Sequence, residues 1–304
     1  MRRLTPALAA PLLLWACSSV PREPQPVLDK TNRAADYAQY GNRAYAEGNY
    51  ASAQTFFEQA LALNMAVDNE VGVVRSLSSI GKTRAAMGEP EEAEEYLAQA
   101  SRRAAALENP GLELECANSL AEILIGQGQD ARARELLTPF LAGAEQFRGT
   151  RDLAMLYHNL GVLEKRAGNP QEALLLFAQA LELNTGLKAR EEMASNNYMI
   201  ASLQSKLEDY PAARASALRA LELDKSVENS LGIAQDLLAL GIIDLRSGEH
   251  ARAFGYFERA YGTYRAIGQE AGMREALLYL VNTGTQVGAD VSSYRALQQE
   301  IENP

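Results

Sequence analysis

Residues 167 to 184 read AGNPQEALLLFAQALELN, a turn signal at Gly168, Asn169 and Pro170 followed by Ala173, Phe177 and Ala180 at helical spacing. The same figure returns as AEGNYASAQTFFEQALALN at 46 to 64, MGEPEEAEEYLAQA at 87 to 100, GQDARARELLTPF at 128 to 140, LEDYPAARASALRALELD at 207 to 224 and SGEHARAFGYFERA at 247 to 260. The interval is strict. Gly48, Gly88, Gly128, Gly168, Glu208 and Gly248 stand forty residues apart, as do Ala53, Ala93, Ala133, Ala173, Ala213 and Ala253. A third series is Gly41, Gly81, Ala121, Gly161, Ala201 and Gly241. Each series has a physical task. The Gly48 series falls where an amphipathic helix ends, and glycine accepts the left-handed conformation that closes such an end. Pro90, Pro170 and Pro211 then open the next helix, where a missing N–H costs nothing. The alanines and the Gly41 series let two helices approach closely, with Phe57, Leu97, Leu137, Phe177 and Phe257 filling the space beside them. The repeating unit is a helix hairpin.

These residues resemble the tetratricopeptide repeat, whose pattern of small, small, Gly, Ala, aromatic, Ala is met by Gly41, Gly48, Ala53, Phe57 and Ala60. The resemblance covers residues 34 to about 288. It implies an all-α fold, a right-handed superhelical solenoid of antiparallel helix hairpins. Six repeats are expected over 34–273, and a degenerate seventh over 274–304 is expected to cap the solenoid. A period of forty, against about 34 in the commoner form, implies longer helices or a longer join. Repeat three departs at Ala121 and Phe140, and repeat five at Glu208 and Ala217.

The repeat decides how SLSSIGKT, residues 76 to 83, is read. Gly81, Lys82 and Thr83 fit a phosphate-binding loop, and VGVV at 71 to 74 looks like a preceding strand, but Ser76 stands where the first glycine belongs. Gly81 is one member of the small-residue series, so the stretch is expected to be helix, with Leu77 and Ile80 facing the core. GQGQDA at 126 to 131 mimics a dinucleotide motif but is expected to be a turn. The chain holds two histidines and neither an H-E-x-x-H nor a G-x-S-x-G motif. Glu91, Glu92, Glu94 and Glu95 are expected on a solvated helix face. No catalytic site, metal site or cofactor is expected. A formal charge of −10 over 304 residues, with no basic block, argues against nucleic-acid binding.

The first residues lie outside the repeat. MRR is followed by the apolar LTPALAAPLLLWA, too short for a stable membrane span, and by Cys17. This resembles a bacterial lipoprotein signal over residues 1–16, which implies cleavage before Cys17 and lipidation there. An ordinary secretory signal with a later cut is the alternative. Ser18 and Ser19 resemble residues that send a lipoprotein to the outer membrane rather than keep it in the inner one. The expected location is therefore the bacterial cell envelope, at the outer membrane facing the periplasm. Cleavage would remove Arg2 and Arg3 and take the charge to −12. Residues 17–33 read as a proline-rich tether of about 50 Å reach. Cys116 is left as a small buried hydrophobe, with no disulfide framework.

In the resembled family the first helix of each repeat lines a concave groove. Carried onto this chain, the groove positions are Asn42 and Tyr45, Lys82, then Asn118 and Glu122. They continue with His158, Val162 and Lys165, then Tyr198 and Ser202. Leu238, Ile242 and Leu245 end the series as an apolar stripe, either buried on a neighbouring helix or open as an anchor pocket. The resemblance implies a non-enzymatic scaffold, anchored to the membrane by lipid alone, that holds a peptide or helix of an envelope protein. A pilotin-like assembly factor for an outer-membrane secretin, as in type IV pilus systems, is the alternative among binding proteins. A nucleotide-dependent enzyme would rest on the degraded P-loop alone, and no small-molecule substrate is expected.

Overall fold

The computed structural model describes residues 29–302, and the expected signal, Cys17 and most of the tether lie outside them. The described chain is a string of fourteen α-helices. They are α1 (Asp29–Ala46), α2 (Tyr50–Ala66), α3 (Glu70–Ala86), α4 (Pro90–Ala106), α5 (Pro110–Gly126), α6 (Asp130–Leu141) and α7 (Arg151–Ala167). The second half continues with α8 (Pro170–Leu187), α9 (Arg190–Lys206), α10 (Tyr210–Ser226), α11 (Ser230–Arg246), α12 (His250–Ala266), α13 (Glu270–Val287) and α14 (Ser292–Glu302). Each odd helix packs along the even helix that follows it, and each hairpin packs on the next. The forty-residue period comes from helices of about five turns joined by very short connections. Helix α1 starts at Asp29, so the last five residues assigned to the tether, 29–33, are already helical. The capping repeat likewise begins a turn early, with Glu270 rather than Arg274 opening α13.

The short joins are possible because a left-handed residue interrupts the chain about every twenty positions. Gly48, Gly88, Gly128, Gly168 and Gly248 take it within hairpins, as does Glu208 at φ 64°. Between hairpins it falls on Asp68, Glu108, Lys188, Glu228 and Gly268, a second series not foreseen. The next residue closes the turn twice. Its N–H bonds back to the helix, as Asn49 does to the Ala44 carbonyl at 2.8 Å and Asn69 to Asn64 at 2.9 Å. Its side chain then caps the new helix: Asn49 accepts from Ser52 N–H, Asn69 from Gly72, Asn109 from Leu112, Asp209 from Ala212 and Asn229 from Gly232.

Packing within hairpins follows the small-residue series. The six alanines from Ala53 to Ala253 are all fully buried at 0% exposure. A Cβ on Gly41 would lie 2.5 Å from Phe57, and one on Gly81 would lie 2.8 Å from Leu97 and 3.1 Å from the Ala93 carbonyl. Gly81 is therefore a helix-crossing glycine inside α3. Leu77 and Ile80 beside it are buried, and the Thr83 hydroxyl donates to the Ser79 carbonyl at 2.8 Å rather than being free for a metal ion.

Repeat three breaks the pattern. Pro139 sits inside α6 and removes a helical N–H, and the helix stops at Leu141 after only 12 residues. Phe140, at a position occupied by alanine in most repeats, is only partly buried and stands 6.2 Å from the ring of Phe147, which ends the 3-10 turn Ala144–Phe147. Helix α7 therefore packs directly on α5. Asn159 Nδ2 donates to the Asn118 carbonyl at 3.4 Å, and Arg166 donates to the Ile125 carbonyl at 2.6 Å.

Successive hairpins also meet through buried polar pairs twelve residues apart. Asn64 donates to Ser76 at 3.2 Å, and the corresponding pair two joints before the cap is Asp224 and Asp236. These carboxyls are 5% and 1% exposed. Asp236 faces Asp224, which accepts from Asn229 at 3.0 Å, and Asp236 Oδ2 is buried with no hydrogen-bond partner. Burial first, and then the Asp224 charge, push the Asp236 carboxyl up to about 8. The Asp236 charge acts on Tyr198 of α9 and Tyr264 of α12, and Glu275 of α13 acts on the same two tyrosines.

Two outcomes follow from this packing. Ala173→Leu should cost about 1–3 kcal/mol by overpacking, with hydrogen exchange rising most in α7 to α10 while α1 and α2 stay protected. An unaltered helical circular-dichroism melt would show that Ala173 is not at a helix crossing. The Asp236 carboxyl holds its proton more tightly folded than unfolded, so its contribution is complete below about pH 4 and declines as pH rises toward about 8. Asp236→Asn keeps a donor toward Asp224 and does not ionise. The Tm difference, variant minus wild type, should grow across that window and level off above it. A difference independent of pH would show that Asp236 titrates as an ordinary carboxyl.

Candidate interaction groove

Odd-numbered helices touch one another across successive hairpins, as α3 touches α5, α5 touches α7 and α9 touches α11. Even-numbered helices make no comparable contact among the described residues, so the odd helices form the tighter, inner layer. A groove of about 730 Å³ runs over this layer from α1 to α9. Asn42, Lys82, Asn118 and Glu122, expected from the repeat register, all line it. A smaller recess of about 290 Å³ holds Glu122, His158 and Val162. Glu122, Arg151, Met155 and Glu192 line both, so the two are continuous.

The inner face is polar and mostly self-neutralised. Arg75 Nε lies 3.2 Å from Glu115 on the next odd helix, and Arg151 lies 2.8 Å from Glu192. The Asp152 carboxyl is held above the ordinary range by burial and by Glu115. His158 is half-buried, its Nδ1 2.8 Å from Asn196 Oδ1 and its ring edge-on to Phe177. Burial lowers its pKa, which keeps the imidazole neutral at pH 7. Tyr45, near the end of α1, is tilted against Tyr50 with ring centroids 5.3 Å apart, and burial and Glu122 both raise its hydroxyl. Lys165 lies along α7 with its ammonium 3.6 Å from the Met199 sulfur, and burial depresses its pKa.

The remaining expected positions are partly or wholly core. Asn118 is 3% exposed and donates from Nδ2 to the Asp152 main-chain carbonyl at 2.9 Å, so it ties α5 to α7 as well as lining the groove. Tyr198 and Ser202 are half-buried on α9, and burial together with Asp236 raises the Tyr198 hydroxyl. Leu238 is 7% exposed within the C-terminal core, and Ile242 and Leu245 pack against that core. Of the apolar stripe, Leu238 is thus buried, while Ile242 and Leu245 remain half-buried against the same core.

Arg75, Glu115, Met155 and Ser195 also line the inner recesses, and they were not anticipated. They stand forty residues apart, seven residues ahead of Lys82, Glu122, Val162 and Ser202, so the repeat arithmetic contains them. Asp152 and Glu192 are likewise forty residues apart, in the register of Gly72, whereas Arg151 has no counterpart forty residues away in the groove.

The family model described as tetratricopeptide repeat matches residues 33–106, 113–185 and 192–266. No curated protein matches the sequence. Among solved structures the fold is similar to the apo form of the quorum sensor NprR from B. thuringiensis, with TM-score 0.69 and 16% identity over 90% of this chain and 77% of that one. It is also similar to a Rap protein complexed with competence and sporulation factor, with TM-score 0.60 and 15% identity over 84% and 76%. A third, from a characterisation of Pseudomonas aeruginosa pilF, has TM-score 0.54 and 18% identity over 81% and 97%. At these identities the likeness is one of fold. With three matched blocks spanning most of seven consecutive hairpins, the chain belongs to the tetratricopeptide repeat family.

Proposed function

We propose that the protein is a non-enzymatic scaffold of the bacterial envelope that holds a segment of a partner protein along the inner groove. The observation that carries this reading is the continuous trough over α1 to α9. Polar side chains of five successive odd helices are held there on a rigid layer and face one opening. Such a surface suits an extended peptide or a single helix, whose backbone and side chains meet several repeats at once. The complex of a Rap protein with competence and sporulation factor supports a binding role for this kind of fold. Anchoring at Cys17 rests on the N-terminal sequence, where MRR, an apolar run and LWAC stand in lipoprotein order.

The groove is tested by a photo-crosslinking residue placed at Met155 on the inner face, compared with the same residue at Glu91 on the exposed face of α4. Membrane extracts should yield a discrete crosslinked partner from the Met155 position alone. Equal crosslinking from Glu91 would remove the groove from the proposal. Cys17→Ser should release the protein from membranes, because two or three acyl chains anchor stably at about 0.8 kcal/mol per buried CH₂. Retention after a high-salt wash would show that the lipid is not the anchor.

A further inference from the structure

We infer that the groove, if it is the partner-binding surface proposed above, receives a basic side chain of the partner over α5 and α7. Hydrogen-bonding capacity and negative charge are both left unmet at that point of the groove. Two of the three groove cations are already engaged, Arg75 by Glu115 at 3.2 Å and Arg151 by Glu192 at 2.8 Å. The third, Lys82, lies on α3 without an ion pair. Over α5 and α7 the unmatched charges are the exposed Glu122 and the half-buried Asp152, both carboxylates that line the groove without an ion pair among the described residues. Asn118 supplies an independent observation. Its Nδ2 is committed to the Asp152 carbonyl, which fixes the orientation of the amide, and its Oδ1 is buried with no partner. What remains unsatisfied at this point of the groove is an acceptor flanked by two anions.

An incoming carboxylate would add a third anion to that set. An arginine brings five N–H donors in a planar fork, enough to meet a carboxylate and a carboxamide oxygen together. Burial and Glu115 hold the Asp152 carboxyl above the ordinary range even though Arg75, Lys82 and Arg151 act on it in the opposite sense, so a further cation there is favoured. The overall charge of −10 draws such a partner toward the protein from a distance.

The test is fluorescence anisotropy at low salt with the full chain and a labelled Gly-Arg-Gly-Arg-Gly peptide, compared with citrulline and glutamate versions. Citrulline keeps the shape of arginine and removes its charge. The arginine peptide should bind at least about tenfold more tightly than either, and Asp152→Asn should weaken it by a similar factor. Glu122→Gln lies on an exposed position, where folding is not at stake, and should weaken it in the same direction. The double variant Glu91→Gln/Glu95→Gln, on the acidic outer face of α4, should leave binding unchanged. Equal binding of the citrulline peptide, or loss of binding that follows the α4 variant instead, overturns the inference. If a neutral or acidic peptide binds and Met155→Arg abolishes it, the groove reading stands and its preference for cations falls. If no peptide responds to any groove substitution, both fall together.

Discussion

The whole architecture depends on one backbone constraint: at eleven of its thirteen joins the chain must stop a helix, reverse and start another within two or three residues, those after α6 and α13 being longer. A helix end leaves four carbonyls and the next start leaves four N–H groups without partners. Here a single left-handed residue bends the chain so that the following N–H returns to the helix just ended, as Asn49 does to Ala44, while the side chain of the same residue caps the helix about to begin. One residue thus serves both ends. With connections this short, neighbouring helices have little choice but to lie side by side, and the alanines and glycines at their crossings set how close they come.

The inner layer inherits its chemistry from that geometry. Because equivalent positions recur on successive odd helices, a side chain on one meets the side chain forty residues later, and opposite charges there become a ladder such as Arg75 with Glu115. Exposed pairs of this kind add little stability. Their effect is to leave the groove polar and nearly neutral, so that the few groups left over, Lys82, Glu122, Asp152 and the Asn118 oxygen, stand out as its distinguishing chemistry.

Most of the hairpin fold was legible because each constraint appeared six times, and SLSSIGKT could be judged only through Gly41, Gly161 and Gly241. What escaped notice lacked that redundancy or its usual residue. The left-handed turns at Asp68, Glu108, Lys188 and Glu228 carry no glycine, since local hydrogen bonding holds ordinary residues in a conformation that costs roughly 1–2 kcal/mol. The start of α1 was masked by the prolines just upstream, although Asp29 in its first turn favours a helix there. In the groove, Asn42, Lys82 and Glu122 were reached by register, whereas Arg75 and Glu115 look in isolation like any solvated face. The spacing of Leu238, Ile242 and Leu245 is the same whether the stripe is covered or bare, and only the helices stacked on it decide.

The shortened α6 gives the molecule a joint that a perfectly regular stack would lack. Elsewhere each hairpin is joined to the next mainly by an even helix lying against the following odd one, as α2 lies on α3, α8 on α9 and α12 on α13. Between the third and fourth hairpins α6 gives little of that contact, and the joint rests mainly on α5 against α7, with Asn159 bonded to Asn118 and Arg166 bonded to Ile125. That joint lies under the middle of the groove, so the residues that hold the two halves of the solenoid together, Asn118 among them, are also residues that line the groove.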